Sequence, residues 1–348
     1  MPTRILLLLG LVAMSTFAQP AIEPGVSHEL AKWRAAHYSD IRYKLSLTLE
    51  KMSPVLKGSM EIRVRVSGGD GEKWSGGARS EPGAVATGRL SPIILDWRRI
   101  KGHEDKSTIS NVSINGRVLS PGFSRQVADG GPPEGGTQNA YEESNEHLIF
   151  RHGVVAGENV ITLDFTSAIL TSGSAITRYV DKEDGSEYIY SLFVPSDAST
   201  AFPVFDQPDL KARFRLTAKY SDELWAFVSN GAGLQFSAGL CSGLAGNTCL
   251  RGIEFEETKP ISTYVFAFAA GPFEKFNPDS LDAGLPAKSA NVDGRVSPPL
   301  NGGVFVRKSQ AAKFKPHAAE VFRLNREAIK YFEQYFDYKF PFPKYDMV

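Results

Sequence analysis

A mostly β chain that closes on one amphipathic helix is the fold class this sequence predicts. Three observations predict it. Residues 41–50 alternate strictly between apolar and polar. Short runs of the same kind recur along the chain with polar turns between them. Beyond Lys308 the apolar spacing changes from two to three and four. Period two marks a strand with one buried face, and a period near 3.6 marks a helix.

In chain order, Ile41, Tyr43, Leu45, Leu47 and Leu49 alternate with Arg42, Lys44, Ser46, Thr48 and Glu50, which predicts the first strand. Met60, Ile62, Val64 and Val66 predict a second. Residues 112–118 carry Asn115-Gly116 between short apolar runs, a hairpin signal. Runs at 160–165, 213–220, 225–229 and 262–269 continue the series. Strands this frequent indicate a β-sandwich or saddle rather than βαβ units. Val321, Leu324, Ala328, Phe332 and Tyr335 then form one face of a helix expected at about 316–336, with Ile329 and Phe336 beside them. Pro316 suits its first turn, and Pro341 and Pro343 forbid its continuation. Both signs of charge on its polar side favour a core-facing helix over a membrane-surface one.

The first 18 residues read as a signal peptide. Arg4 precedes the apolar run 5–12, and Thr16-Phe17-Ala18 offers small residues for cleavage after Ala18. The run is short for a bilayer span, so no stable membrane anchor is expected. The expected location is secreted or periplasmic. There Cys241 and Cys249 could pair as a disulfide, worth about 2–3 kcal/mol on the chain-entropy model. Two buried free thiols are the alternative. Gly-, Pro- and Ser-rich inserts at 68–88 and 130–138 are expected to be surface loops. Neither has the Gly-Lys-Ser/Thr ending of a phosphate loop.

Lys plus Arg and Asp plus Glu both number 39, and basic residues are interspersed with acids, so no nucleic-acid partner is indicated. No His-Glu-x-x-His occurs, and no two of the six histidines stand four apart. A zinc peptidase of that class needs both imidazoles on one helix face with a Glu beside them. There is no Gly-x-Ser-x-Gly elbow. The carboxylates at Glu142-Glu143 and at Glu254, Glu256 and Glu257 read as solvated strand faces or turns. The expected count of catalytic and metal residues in this chain is therefore none.

The most informative stretch runs from Tyr188 to Phe214, YIYSLFVPSDASTAFPVFDQPDLKARF. Pro203 and Pro208 bracket Val-Phe-Asp-Gln within it. It resembles the signature of the aminopeptidase N family of zinc metallopeptidases, in the β domain that precedes their thermolysin-like catalytic domain. Further matching pieces are Val228-Ser229-Asn230-Gly231, Ile261-Ser262-Thr263-Tyr264, Gly271-Pro272-Phe273 and 331–346. The resemblance implies a β domain at 19–306 and the start of a catalytic domain at 307–348. The zinc motif and Gly-x-Met-Glu-Asn would follow beyond Val348. Zinc is then expected only in a full-length protein, whose substrates are peptides, and this chain alone is expected to be inactive. A noncatalytic interaction module derived from the same family is the alternative.

The signature departs from the family where chemistry matters most. The family's Gln and Glu, which reach the active-site cleft and hold the substrate's α-ammonium, fall at Leu192 and Val194. Neither side chain can accept a hydrogen bond from an ammonium. Val204 stands for a usual Cys and Ser199 for a usual Arg. Asp206, Pro208, Asp209, Lys211 and Arg213 read as structural, with Asp side chains bonding local amides.

Overall fold

The computed structural model describes residues 19–68, 90–122, 140–220, 225–236, 251–277 and 302–348. Residues 1–18, Cys241, Cys249 and both Gly-rich inserts apart from Gly68 lie outside the described residues.

Helix α1 (His28–His37) opens the described fold. The strands follow as β1 (Tyr38–Leu49), β2 (Val55–Val66), β3 (Ile93–Asp96), β4 (Thr108–Ile114), β5 (Arg117–Val118) and β6 (Ser120–Gly122). Next come β7 (Ala140–Ser144), β8 (His147–Phe150), β9 (Gly157–Ala168), β10 (Ile176–Val180), β11 (Glu187–Ser191) and β12 (Ala212–Tyr220). The series ends with β13 (Ala226–Ser229), β14 (Gly233–Phe236), β15 (Arg251–Phe255), β16 (Phe268–Gly271), β17 (Phe273–Phe276) and β18 (Val304–Arg307). The short α2 (Ala311–Phe314) and the long α3 (Ala318–Tyr335) complete it.

An eight-stranded sheet, ordered β14-β15-β12-β1-β2-β9-β4-β5, dominates. Smaller sheets, β10-β11-β16-β13 and β3-β8-β7-β6, bury their inner faces in the same core. The alternation read at 41–49 is real: Leu45, Leu47 and Leu49 are fully buried, and the residues between them are exposed or half-buried. Each such burial stabilises by about 1.5–3 kcal/mol. Gly58 faces the Phe165 ring across the β2/β9 pair, and a Cβ there would stand 2.3 Å from the ring's tip. The Asn115-Gly116 hairpin closes with both residues at positive φ, 49° and 80°. That is the conformation a two-residue turn between twisted strands requires.

Two expectations need adjustment, and helix α1 is an element that the sequence did not predict. Helix α1 carries no clear apolar face, so its sequence gives no helical period; Ser27 caps it by accepting from the Leu30 amide at 3.2 Å. The strand expected at 262–269 is a 3-10 turn at Thr263–Val265 followed by β16. The C-terminal helix starts two residues later than 316, after a 3-10 turn that holds Pro316. Its apolar face has little cover in this chain, and of that face only Val321 packs partly on the small core beneath the helix. Ala318 and Phe322 pack on Phe276, Val304 and Ala311 in a small second core, whereas Leu324, Phe332 and Tyr335 face outward. Among the described residues, no element covers that face of the helix.

Candidate functional site

The signature begins on β11, which pairs with β16 through Ile189–Ala270 and Tyr190–Ala269. Strand alternation sends Ile189 and Phe193 into the core and Tyr190, Leu192 and Val194 outward. Leu192 is 57% and Val194 53% exposed. Side-chain contacts join the two strands at this end: the Phe268 amide donates to Ser191 Oγ at 2.8 Å, and Phe193 stacks on Phe266. Val265 and Ala267, on the segment leading into β16, are exposed as well. The two positions of interest therefore present exposed apolar side chains on the outer face. The bond between Val194 and Pro195 is cis.

Below these side chains the signature is solid. Residues 198–200 form a buried 3-10 turn. Phe202 meets Phe193 edge to face, 5.6 Å between centroids, and Phe266 stacks on Phe214 at 4.5 Å. Val204, at the family's Cys position, is fully buried and bridges β3: the Asp96 amide donates to Val204 O at 2.7 Å, and the Val204 amide to Asp96 O at 3.1 Å. A thiol is not needed there, because the contacts are apolar packing and main-chain bonds. Ser199 is buried too, donating its amide to Asp206 Oδ2 at 3.0 Å and accepting from the Arg98 amide at 2.9 Å. The guanidinium beside this turn comes instead from Arg98, whose Nη2 pairs with Asp197.

The structural reading of the later signature holds for Asp206 and Lys211. Asp206 bonds the Ser199 amide, and Lys211 Nζ bonds Ser262 Oγ, which donates to Pro208 O at 2.7 Å. Thr263 Oγ1 donates to Phe205 O at 3.0 Å, and the Phe205 amide donates to Tyr43 OH at 2.9 Å. The separate matching pieces 188–214 and 261–264 thus meet as one hydrogen-bonded unit. Asp209 is exposed.

One buried network escapes a reading of the sequence. Arg34 of α1 forks onto both oxygens of Asp96, at 2.6 and 2.9 Å. His147 Nε2 stands 3.1 Å from Asp96 Oδ1, and the Asp206 amide donates to Asp96 Oδ2 at 2.8 Å. Burial pushes the Asp96 carboxyl up, but Arg34 and His147 override it and hold it below the usual carboxylate value. Asp206 has no such partner, and burial raises its pKa to about 6, opposed by the Ser199 amide and reinforced by Asp96. Residues 34, 96, 147 and 206 are far apart in the chain. The only local hint was a charged residue at the end of the apolar run Ile93–Leu95.

The structure brings Leu192 and Val194 together but adds no metal ligands to them. Among the described residues, no group of three or more His, Cys, Asp or Glu could hold a metal ion. His147 is buried against Asp96, and His152 lies exposed beyond the end of β8. The described residues therefore do not fit a zinc centre.

Residues 103–265 match the Peptidase M1 N-terminal domain family. The chain is 31% identical over 241 residues to aminopeptidase N of Streptomyces lividans, covering 69% of this chain and 23% of that protein. The chain carries the N-terminal domain of the aminopeptidase N family. It is also 28% identical over 260 residues to probable M1 family aminopeptidase 1 of Encephalitozoon cuniculi, covering 73% of this chain and 24% of the relative. Aminopeptidase M1-C of Oryza sativa subsp. japonica is 27% identical over 218 residues, 61% of this chain and 21% of the relative. The chain thus matches between about a fifth and a quarter of the length of these relatives.

The M1 domain grips the C-terminal segment through the β10–β11 turn. Asp181 accepts from Ser309 Oγ at 2.7 Å, from Arg307 Nη1 at 2.8 Å and from the Glu183 amide at 2.9 Å. The Glu183 amide, helped by Ser309 and Arg307, holds the Asp181 carboxyl below its usual value. The Lys308 amide donates to Tyr188 OH at 2.9 Å. Farther on, Lys344 Nζ donates to Ser229 O at 2.8 Å, and Met347 bridges Val304. The strand that leads to Leu192 and Val194 therefore also anchors the approach to α3.

Proposed function

We propose that this chain is the N-terminal portion of an exported, aminopeptidase N-like zinc metallopeptidase whose recognition of the substrate's free amine is weakened. The observation that carries this reading is the outward apolar pair Leu192 and Val194, placed where the resemblance puts the family's amine-binding Gln and Glu. A buried ammonium needs a fixed carboxylate partner, and a Val at that position supplies none. Residues 1–18 act as the export signal in this reading. The zinc belongs to the length of the relatives that this chain does not span, and the chain alone neither holds zinc nor hydrolyses peptides. The rest of the catalytic unit covers the outward face of α3.

Two measurements test it. On the chain, zinc analysis is expected to give well under one equivalent with no peptide hydrolysis; one equivalent together with activity overturns the reading. On a protein that joins this domain to the remaining length, cleavage of matched free and N-acetylated peptides is compared. The reading expects a weak preference for the free amine, and a strong preference contradicts it. The open face of α3 also favours a second reading, a noncatalytic module that binds another protein there. Chelation of the protein that joins this domain to the remaining length distinguishes the two: loss of peptide hydrolysis favours the peptidase, and no hydrolysis before or after chelation favours the module.

A further inference from the structure

We propose that Asp206 makes the signature loop a pH-responsive latch, closed when its carboxyl is protonated and loosened when it is ionised. The geometry supplies one permanent buried cation for two buried carboxylates. Both Nη atoms of Arg34 are taken by Asp96. Among the described residues, no Lys, Arg or His nitrogen pairs with Asp206, whose carboxylate is held by Ser199 through its amide. An ionised Asp206 is thus a buried charge with no cation in contact, offset only by Arg98, itself paired with Asp197, and beside a second carboxylate that its own amide touches.

Charged and titratable groups reach Asp206 from each element packed against it. From α1 comes Arg34, already occupied. From β1 comes Tyr43, kept neutral because burial pushes its phenol up. From β3 and its extension come Asp96 and Arg98, the latter paired with Asp197. From the β7–β8 turn come Glu146, exposed, and His147, whose ring nitrogens face Asp96 and Asn145 O. On the same segment Asp209 is exposed. A cleft of about 380 Å³ lined by Asp96, Arg98, Glu146, Ser199, Asp206 and Gln207 gives the proton a route.

Protonated Asp206 keeps an acceptor oxygen for the Ser199 amide while shedding its uncompensated charge. The direction follows from linkage. The folded value, about 6, lies above the unfolded value of roughly 3.9, so the folded loop holds the proton longer. The latch is tightest below about pH 4 and loosens as pH rises through 6. Ser199 is joined to Asp197 and Val194 by the same short turn, so loosening is transmitted to the Leu192–Val194 segment. Only that consequence for substrate handling rests on the proposed function.

The test uses this chain and no peptidase activity, so its failure is separable from failure of the functional reading. Amide hydrogen exchange of residues 196–206, corrected for intrinsic rates, is followed from pH 5 to 8, with β1 as the internal control. Protection of the loop is expected to fall by roughly tenfold or more across pH 6. Asp206→Asn, which keeps an acceptor for Ser199, is expected to remove the step, and His147→Gln to leave it. A flat wild-type profile, an unchanged step in Asp206→Asn, or loss of the step in His147→Gln overturns the proposal. Should Asp206→Asn not fold, carbon-detected titration of the wild-type carboxyl decides: a midpoint near 6 supports the latch and one below 4.5 overturns it.

Discussion

Segment 198–206 and helix α3 are both rich in aromatic and apolar side chains, and they dispose of them in opposite ways. In the first, Phe202, Val204 and Phe205 are fully buried, and the Phe205 amide, the Asp206 amide and the Gln207 side chain find partners on β1, β3 and α1. In the second, Tyr331, Phe332, Tyr335 and Phe336 are each more than half exposed, stacking on one another rather than on a core. The difference lies in what the chain itself supplies. Sequence-distant strands close over the signature, whereas the described residues hold only Phe276, Val304 and their neighbours against the first turns of α3. An apolar stripe shows that a face is to be covered; it does not show that the same chain covers it.

The largest effect that can break this comparison is at the buried ion pair. Asp96→Ala leaves Arg34 buried without its carboxylate and is expected to cost about 3–5 kcal/mol, read as a fall in the thermal midpoint. Because the folded Asp96 value is depressed, its contribution is present above the unfolded value and is lost as pH falls through the folded one, below about 4. Phe202→Ala is expected to cost about 3–5 kcal/mol, since it empties the centre of the Phe193, Phe202 and Phe266 cluster. Tyr335→Ala, on the open helix face, is expected to change stability by no more than about 0.5 kcal/mol. Equal losses for Phe202→Ala and Tyr335→Ala in chemical denaturation would erase the contrast between the two regions. The smallest effect on folding is expected from Leu192→Gln with Val194→Glu, within about 0.5 kcal/mol, because both side chains are exposed. In a protein with the remaining length, the same pair is expected to strengthen discrimination for free over acetylated peptides.

Much of this was legible in the residues. Alternation at 41–49 and 60–66 gave the central strands because those faces are half solvated and the pattern survives. Asn115-Gly116 gave its turn because two consecutive positive-φ residues suit few other pairs. The order of Pro, Phe and Asp in 202–208 indicated a rigid element, and its partners Ser262 and Thr263 lay in another matching piece. The ion network was hidden because its members come from four separate segments, and no local period links Arg34 to Asp96 or His147. Helix α1 was hidden because it buries Leu30, Trp33 and Arg34 together, mixing a charge into the packed side. The inward contacts of α3 were hidden for the opposite reason. Its apolar face is plain in the sequence, and only the fold shows that Ala318 and Phe322, beside that face, pack inward.

Concentration-dependent sedimentation combined with amide hydrogen exchange of this chain tests the contrast between the two regions most directly. The amides of β1, β2 and 198–206 are expected to be strongly protected. Helix α3 is expected either to exchange much faster or to gain protection only as the chain self-associates. A chain that stays monomeric at every concentration, with α3 as slow to exchange as β1, would contradict the account.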